Sequence, residues 1–252
     1  MNIIAATTFS INGYNDYAHR LIKTFIEYWP KTVTLYAYYD DIPSNGWKDS
    51  ADNVVYIKLN DPGLLAFKEQ NKNNPKNSST NFLNDGIRFS HKVFAYVDAA
   101  LKPDVDIAIW LDGDSITHQP VTEKVIVSWL NNKMAGALLR PWLYTETGFH
   151  IFDMRFPQAR NFMTQWREYY TKNTVWNLPH YTDCHTYDAV MATYSKDLWN
   201  NLSPDNLKHS HPFVNGVLGQ HMDHAKGPRK KEGRSKKSDL VVNRTEDYWK
   251  KI

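Results

Sequence analysis

Asp112 and Asp114, one residue apart across Gly113, are the residues of this chain best spaced for metal chemistry. Two carboxylates so arranged can share one divalent ion, directly or through water. Magnesium and manganese take one or two protein carboxylates and fill their remaining positions with water and substrate phosphates. Such an ion neutralises charge on a departing phosphate. The competing account is local, because Asp-Gly is also a turn signal and an aspartate can cap its own turn. Asp183, His185 and Asp188 form a second polar group. A carboxylate or histidine there could act as base toward a hydroxyl, although Asp183 is equally well suited to cap a helix. Cys184 has no partner beyond His185 that would make it a nucleophile.

The elements around these residues read as an α/β fold. Ile3 to Phe9, Val33 to Tyr39 and Val54 to Leu59 are short apolar, β-branched runs that predict strands. Tyr17 to Trp29 has helical spacing and is stopped by Pro30. Strand, helix, strand from the first residue implies a parallel sheet of βαβ units. Residues 70–81, polar and low in complexity, predict a mobile loop or an insertion on the acceptor side. Arg88 to Leu101 predicts a helix, and Val105 to Leu111 a buried strand that delivers Asp112 and Asp114 to the carboxyl edge of the sheet. Open α/β sheets bind ligands at that edge. Ala135 to Leu139 and Phe149 to Phe152 predict strands, and Phe156 to Tyr170 and Tyr187 to Tyr194 helices. A loop region with a basic segment follows Pro212. No internal repeat appears, so residues 1–252 read as one domain with a nucleotide-binding half (1–115), an acceptor-side half (116–225) and a basic C-terminal segment (226–252).

Trp110-Leu111-Asp112-Gly113-Asp114-Ser115 resembles the D-x-D signature of GT-A glycosyltransferases, including the glycogenin-like and galactosyltransferase groups. Arg88 to Ala95 resembles the helix that precedes that strand in the family. The resemblance implies that Arg88 and Lys92, four apart on one face, reach the nucleotide or its phosphates; the plain alternative is two solvated charges. Tyr144 to Asp153 resembles the segment lining donor sugar and acceptor, which implies a hydroxyl-binding or base role for Glu146 beside Gly148. Gly219 to Gly227 resembles the late His-x-x-Gly-x-x-Lys element. It implies a histidine completing the metal shell, His224 ahead of His221, and a diphosphate clamp of Lys226, Arg229 and Lys230 on a closing loop. Thr7 and Thr8 at the end of the first strand, and Asp40 at the end of the second, fall where related folds bind the base.

The implied fold is therefore a Rossmann-like three-layer α/β/α sandwich of GT-A type with a mostly parallel sheet. The implied reaction uses Mn2+ or Mg2+ and moves a sugar from a nucleotide-diphosphate donor, a UDP-sugar, to an acceptor hydroxyl. The overall look is also similar to small phage-encoded glycosyltransferases that modify hydroxylated DNA bases. DNA is one acceptor this implies, and a surface glycan or a protein is the other.

Composition sets bounds on these readings. The 252 residues are 42% hydrophobic, which excludes wholesale disorder. Net charge is +3, but Lys226 to Lys237 holds seven Lys or Arg and one Glu. That run suggests a polyanionic partner, and polyphosphate binding by it would be salt-dependent. A single cysteine precludes an intrachain disulfide and suggests a reducing, cytoplasmic setting. No run of 18 apolar residues predicts a membrane span. Two rivals remain from other classes: a metal-dependent phosphoesterase or nuclease, which would need further carboxylates, and a non-catalytic nucleic-acid-binding protein.

Overall fold

The computed structural model describes residues 1–43, 46–141, 143–204 and 211–251. Seven strands form its main sheet: β1 (Ile3–Phe9), β2 (Val33–Tyr39), β3 (Val54–Lys58), β4 (Ile107–Leu111), β6 (Ala135–Leu138), β7 (Glu146–Asp153) and β8 (Trp199–Asn201). Their order is β3-β2-β1-β4-β7-β6-β8. Every neighbouring pair is parallel except the two made by β7, which runs against β4 and β6. A small second sheet pairs β5 (Ser115–Thr117) with β9 (Met222–His224), antiparallel.

Strands buried on both faces alternate between two cores. Ile4 and Ala6 of β1, with Ala108 and Trp110 of β4, face one core with Val93, Phe94, Phe162 and Trp166. Ile3 and Ala5, with Ile107, Ile109 and Leu111, face the other with Leu21, Phe25, Ile126 and Trp129. Helices α1 (His19–Tyr28) and α4 (Glu123–Leu130) cover that second face; α2 (Pro62–Asn71), α3 (Gly86–Ala100), α5 (Pro157–Thr171) and α6 (Asp183–Met191) cover the first. The α/β/α sandwich expected from the βαβ rhythm is thus present. No described helix is long and apolar enough to cross a membrane.

Several boundaries differ from the sequence reading, each for a local reason. Helical structure before α1 begins at Ile11, where Ser10 caps the first turn and a π-turn over Tyr14–Ala18 follows. Helix α2 was not expected; Asp61 caps it and Pro62 opens it. The polar segment 70–81 is stitched down rather than free. Asn71 Nδ2 donates to Asn173 Oδ1 at 2.6 Å, Lys76 Nζ to the Trp176 carbonyl at 2.9 Å, and Asn77 Oδ1 accepts from Ile87 N at 3.0 Å. Helix α6 starts at Asp183, four residues before the expected Tyr187; Thr182 is its N-cap residue and Asp183 the first helical position.

Strand β1 leads outward to β2 and β3, whereas β4 lies on its other side. The carboxyl ends of β1 and β4 therefore flank the point where the connections change direction, which is where such sheets open a crevice.

Candidate active site

A cleft of about 1020 Å³ opens at that crevice. Strand β1 contributes Thr8, β4 is followed by Asp112, Gly113 and Asp114, β7 brings Glu146 and Thr147, and α6 brings Asp183. The loop after β9 closes one side with Lys226 and Lys230.

Asp112, Asp114 and His224 each present one ligand atom, and these atoms lie within 4.8 Å of one another. His224 Nε2 stands 3.1 Å from Asp114 Oδ1 and 3.7 Å from Asp112 Oδ2. The second sheet explains the meeting: β5 continues directly from the acidic turn, and Ser115 pairs with His224 across it. Two carboxylates and an imidazole are a donor set that suits Mn2+, with hard oxygens and one borderline nitrogen. The runner-up His221 lies elsewhere; its Nδ1 donates to the Pro120 carbonyl at 2.9 Å and it does not line the cleft.

Asp112 is fixed from two sides. Trp110 Nε1 donates to its Oδ1 at 2.7 Å, and Lys92 Nζ to the same oxygen at 2.8 Å. Lys92 is 7% exposed and also reaches Asp183 Oδ2 at 2.7 Å and the Thr147 carbonyl. Its three N–H bonds are thereby used, so it clamps carboxylates instead of reaching a phosphate or projecting into water. Burial pushes the Lys92 ammonium down, but Asp112 and Asp183 outweigh it and hold the pKa above its ordinary value. Asp183 Oδ2 also accepts from Thr147 Oγ1 at 2.7 Å.

Asp114 is almost wholly buried and takes Lys230 Nζ at 2.9 Å on its other oxygen. Burial alone would raise its pKa; His224 and Lys230 hold it well below the usual carboxylate range. Glu146 pairs with Lys226, and Arg140 Nη1 lies 3.8 Å from its Oε2. Burial pushes Glu146 up, yet Lys226 and His224 bring it down to about 2. A depressed carboxylate contributes stability that is present above its ordinary value and lost as pH falls toward the folded value. The window is therefore from 4.5 down to about 2. Urea unfolding across that range is expected to show wild type losing stability more steeply than Glu146→Gln; parallel losses would contradict the pairing.

The remaining expected residues divide. Thr8, Asp40 and Arg88 line the cleft, with Asp40 Oδ1 accepting from Ile11 N at 3.0 Å. Thr7 points into the interior, fully buried and away from the cleft, because alternate residues of a strand face opposite sides. Arg229 turns away to Asp239 at 2.6 Å and does not line it either. Cys184 lines the cleft, but burial and then Asp183 push its thiol up to about 12, which opposes thiolate chemistry. Asp188 accepts from Thr145 N at 3.0 Å, a structural use outside the cleft. His185 Nδ1 is 2.7 Å from Thr182 Oγ1 and its ring packs on Tyr144.

The sequence reading missed Trp110, Arg140 and Tyr17. Trp110 sits two residues before Asp112, on the same face of a strand, and that periodicity was a usable signal. Gly148 holds a steric role as well. A Cβ there would stand 2.4 Å from His224 Cε1 and 2.7 Å from Nδ1, so the ring rests directly on strand β7. Gly148→Ala is expected to dislodge His224 and weaken Mn2+ binding at least tenfold in calorimetry. Unchanged affinity would remove His224 from the ligand set.

Helices on both faces of a sheet in which one strand opposes the rest, with an acidic turn where β4 ends, define the GT-A fold. The chain is similar to solved structures of that fold. An active-site mutant of LgtC matches with a TM-score of 0.54 and 13% identity over 98% of this chain and 99% of that one. Mouse xyloside xylosyltransferase 1, in its apo form, matches with a TM-score of 0.52 and 8% identity over 81% and 86%. The glycosyltransferase GlyE of Streptococcus pneumoniae matches at 0.52 and 12% over 81% of this chain, which spans 45% of GlyE. No family model matches the sequence, and no curated protein matches it. At these identities the likeness is one of fold.

Proposed function

We propose that the chain is a metal-dependent glycosyltransferase that moves a sugar from a nucleoside-diphosphate donor, a UDP-sugar, to an acceptor hydroxyl. The observation that carries this reading is the meeting of Asp112, Asp114 and His224, beside Lys226 and Lys230, at the mouth of a cleft large enough for a nucleotide sugar. Asp112, Asp114 and His224 would hold Mn2+ or Mg2+. The chemistry such an ion supplies is neutralisation of charge on the leaving diphosphate.

The chain's own residues do the rest. Lys226 and Lys230 bring positive charge to the diphosphate side. Thr8 and Asp40 lie toward the nucleoside and Arg88 along the same wall. Glu146, held ionised, is a poor proton acceptor near neutral pH and a good hydrogen-bond acceptor for sugar hydroxyls. Asp183 is the carboxylate left to face an acceptor hydroxyl.

Charge favours a glycan over DNA as acceptor. Of the seven basic residues from Lys226 to Lys237, Lys226, Arg229, Lys230 and Lys236 already engage carboxylates of this chain. Two-metal phosphoester hydrolysis has less support, since the described residues offer one cluster of three ligands.

A thermal-shift panel of nucleoside diphosphates with and without manganese tests the reading. A ligand at 100 times its Kd adds about 2.7 kcal/mol. At roughly 2–4 °C per kcal/mol for a chain of this size, that is a shift of about 5–10 °C. Stabilisation by UDP that requires manganese is expected; no shift from any diphosphate would sink the proposal.

A further inference from the structure

Four acidic and four basic side chains that pair within the cleft balance one another, and the rest of its carboxylate, lysine and arginine lining, Asp40 and Asp85 with Lys68 and Arg88, balances too. Asp112, Asp114, Glu146 and Asp183 supply four negative charges. Lys92, Arg140, Lys226 and Lys230 stand against them as four positive ones. Asp114, Glu146 and Asp183 are each less than a tenth exposed, so an uncompensated charge added here is costly. A divalent ion alone would leave a surplus of two positive charges. A sugar diphosphate, with two ionised phosphates, would alone leave two negative ones. Together they add nothing to the balance.

The contact that enforces this balance is Lys230 on Asp114. Its ammonium stands 2.9 Å from Asp114 Oδ2, an oxygen of the carboxylate whose other oxygen faces His224. The position is built rather than incidental. The Lys230 ammonium lies 5.0 Å from the centre of the Tyr17 ring, and the same ring backs Gly113. Arg20 of α1 donates to the Lys230 carbonyl, latching the loop from outside. At either end of the loop, Asp223, fully buried, accepts from His224 N at 2.6 Å, Ser235 N at 2.7 Å, Ser235 Oγ at 2.6 Å and Tyr248 Oη at 2.7 Å. One carboxylate therefore fixes both the metal-facing histidine and the far end of the loop carrying Lys230.

Resting on the reading of Asp112, Asp114 and His224 as a divalent-cation site, we infer that Lys230 is a resident counter-cation that a metal must displace from Asp114. The displaced ammonium then passes to the diphosphate, so ion and donor enter as a neutral pair and each raises the other's affinity. Such coupling is reciprocal by linkage. It makes the ion a weak ligand by itself and a tight one beside a nucleoside diphosphate.

Calorimetric titration of Mn2+ into wild type, Lys230→Met and Lys230→Arg, each with and without saturating UDP, tests this. Methionine keeps the stem over Tyr17 and removes the charge; arginine keeps the charge. Without UDP, Lys230→Met is expected to bind Mn2+ at least tenfold more tightly than wild type, and Lys230→Arg to bind as weakly as wild type. With UDP the advantage of Lys230→Met is expected to vanish or reverse. If wild type binds Mn2+ with UDP but Lys230→Met binds it no more tightly without UDP, the inference falls and the metal site stands. If none of the proteins takes up Mn2+ under either condition, the metal site itself falls.

Discussion

If the proposed function holds, Asp114→Asn is expected to lower sugar transfer by about a thousandfold or more while leaving the fold in place. The substitution keeps the shape of the side chain and one oxygen but removes the charge that an ion and Lys230 both need. Metal stabilisation of a leaving diphosphate is worth several kcal/mol, and about 4 kcal/mol corresponds to roughly a thousandfold in rate. The effect on stability is much smaller. Lys230 is 31% exposed along its side chain and can turn to water once its partner is neutral. His224 loses the neighbour that, against burial, raises its pKa, and so becomes more readily neutral. A loss of about 1–2 kcal/mol is expected from one weakened buried hydrogen bond. Transfer from a UDP-sugar with manganese, beside a melting curve of the same preparation, separates the two effects. A variant retaining more than a tenth of wild-type transfer would show that Asp114 is a structural turn residue.

The parts of this arrangement that were legible in the sequence are those carried by local pattern. The run from Val105 to Leu111 announces a strand buried on both faces, and Asp112 and Asp114 follow it at the sheet's carboxyl edge. The long-range partners were not legible. Lys92 reads as one of a pair of helical charges with Arg88, and both line the cleft, yet one turn separates a lysine that is 7% exposed from an arginine that is open to solvent. Which way a lysine on a helix points depends on the strands beneath it, and here β4 and β7 present Asp112 and the Thr147 carbonyl. His224 and His221 are three apart in sequence. Only the pairing of β9 with β5 decides between them, because it sets Ser115 opposite His224 and leaves His221 beyond the strand's start. Asp223 gave no sequence signal: a single aspartate between Met222 and His224 has no spacing that betrays four hydrogen-bond donors arriving from residues 224–248. Helices α2 and α4 were missed because they are short, ten and eight residues, and their apolar faces are brief, although Asp61-Pro62 and Thr122 mark their starts.

Lys92→Met is expected to cost about 3–5 kcal/mol of stability, the range for removing one partner from a buried ion pair. Methionine matches the length of the lysine stem but leaves Asp112 Oδ1 with Trp110 alone and Asp183 Oδ2 with Thr147 alone. In wild type the raised pKa of Lys92 means that its contribution is complete at every pH below 10.5 and is lost only as pH rises beyond that value. Near neutrality the whole effect is therefore visible by urea unfolding. In the variant the two carboxylates repel each other without a cation between them. A second substitution gives an independent check. Asp183→Asn in the Lys92→Met background removes one of the stranded charges and is expected to restore about 1–2 kcal/mol, within the coupling seen between residues in direct contact. A deficit below about 1 kcal/mol, or no recovery in the double variant, would place Lys92 in a well-solvated setting at odds with its burial. The functional consequence follows from the same geometry. One ammonium holds both Asp112 and Asp183, so under the proposed function, in which Asp112 would hold the ion and Asp183 would face the acceptor, losing it should disturb ion binding and acceptor positioning together.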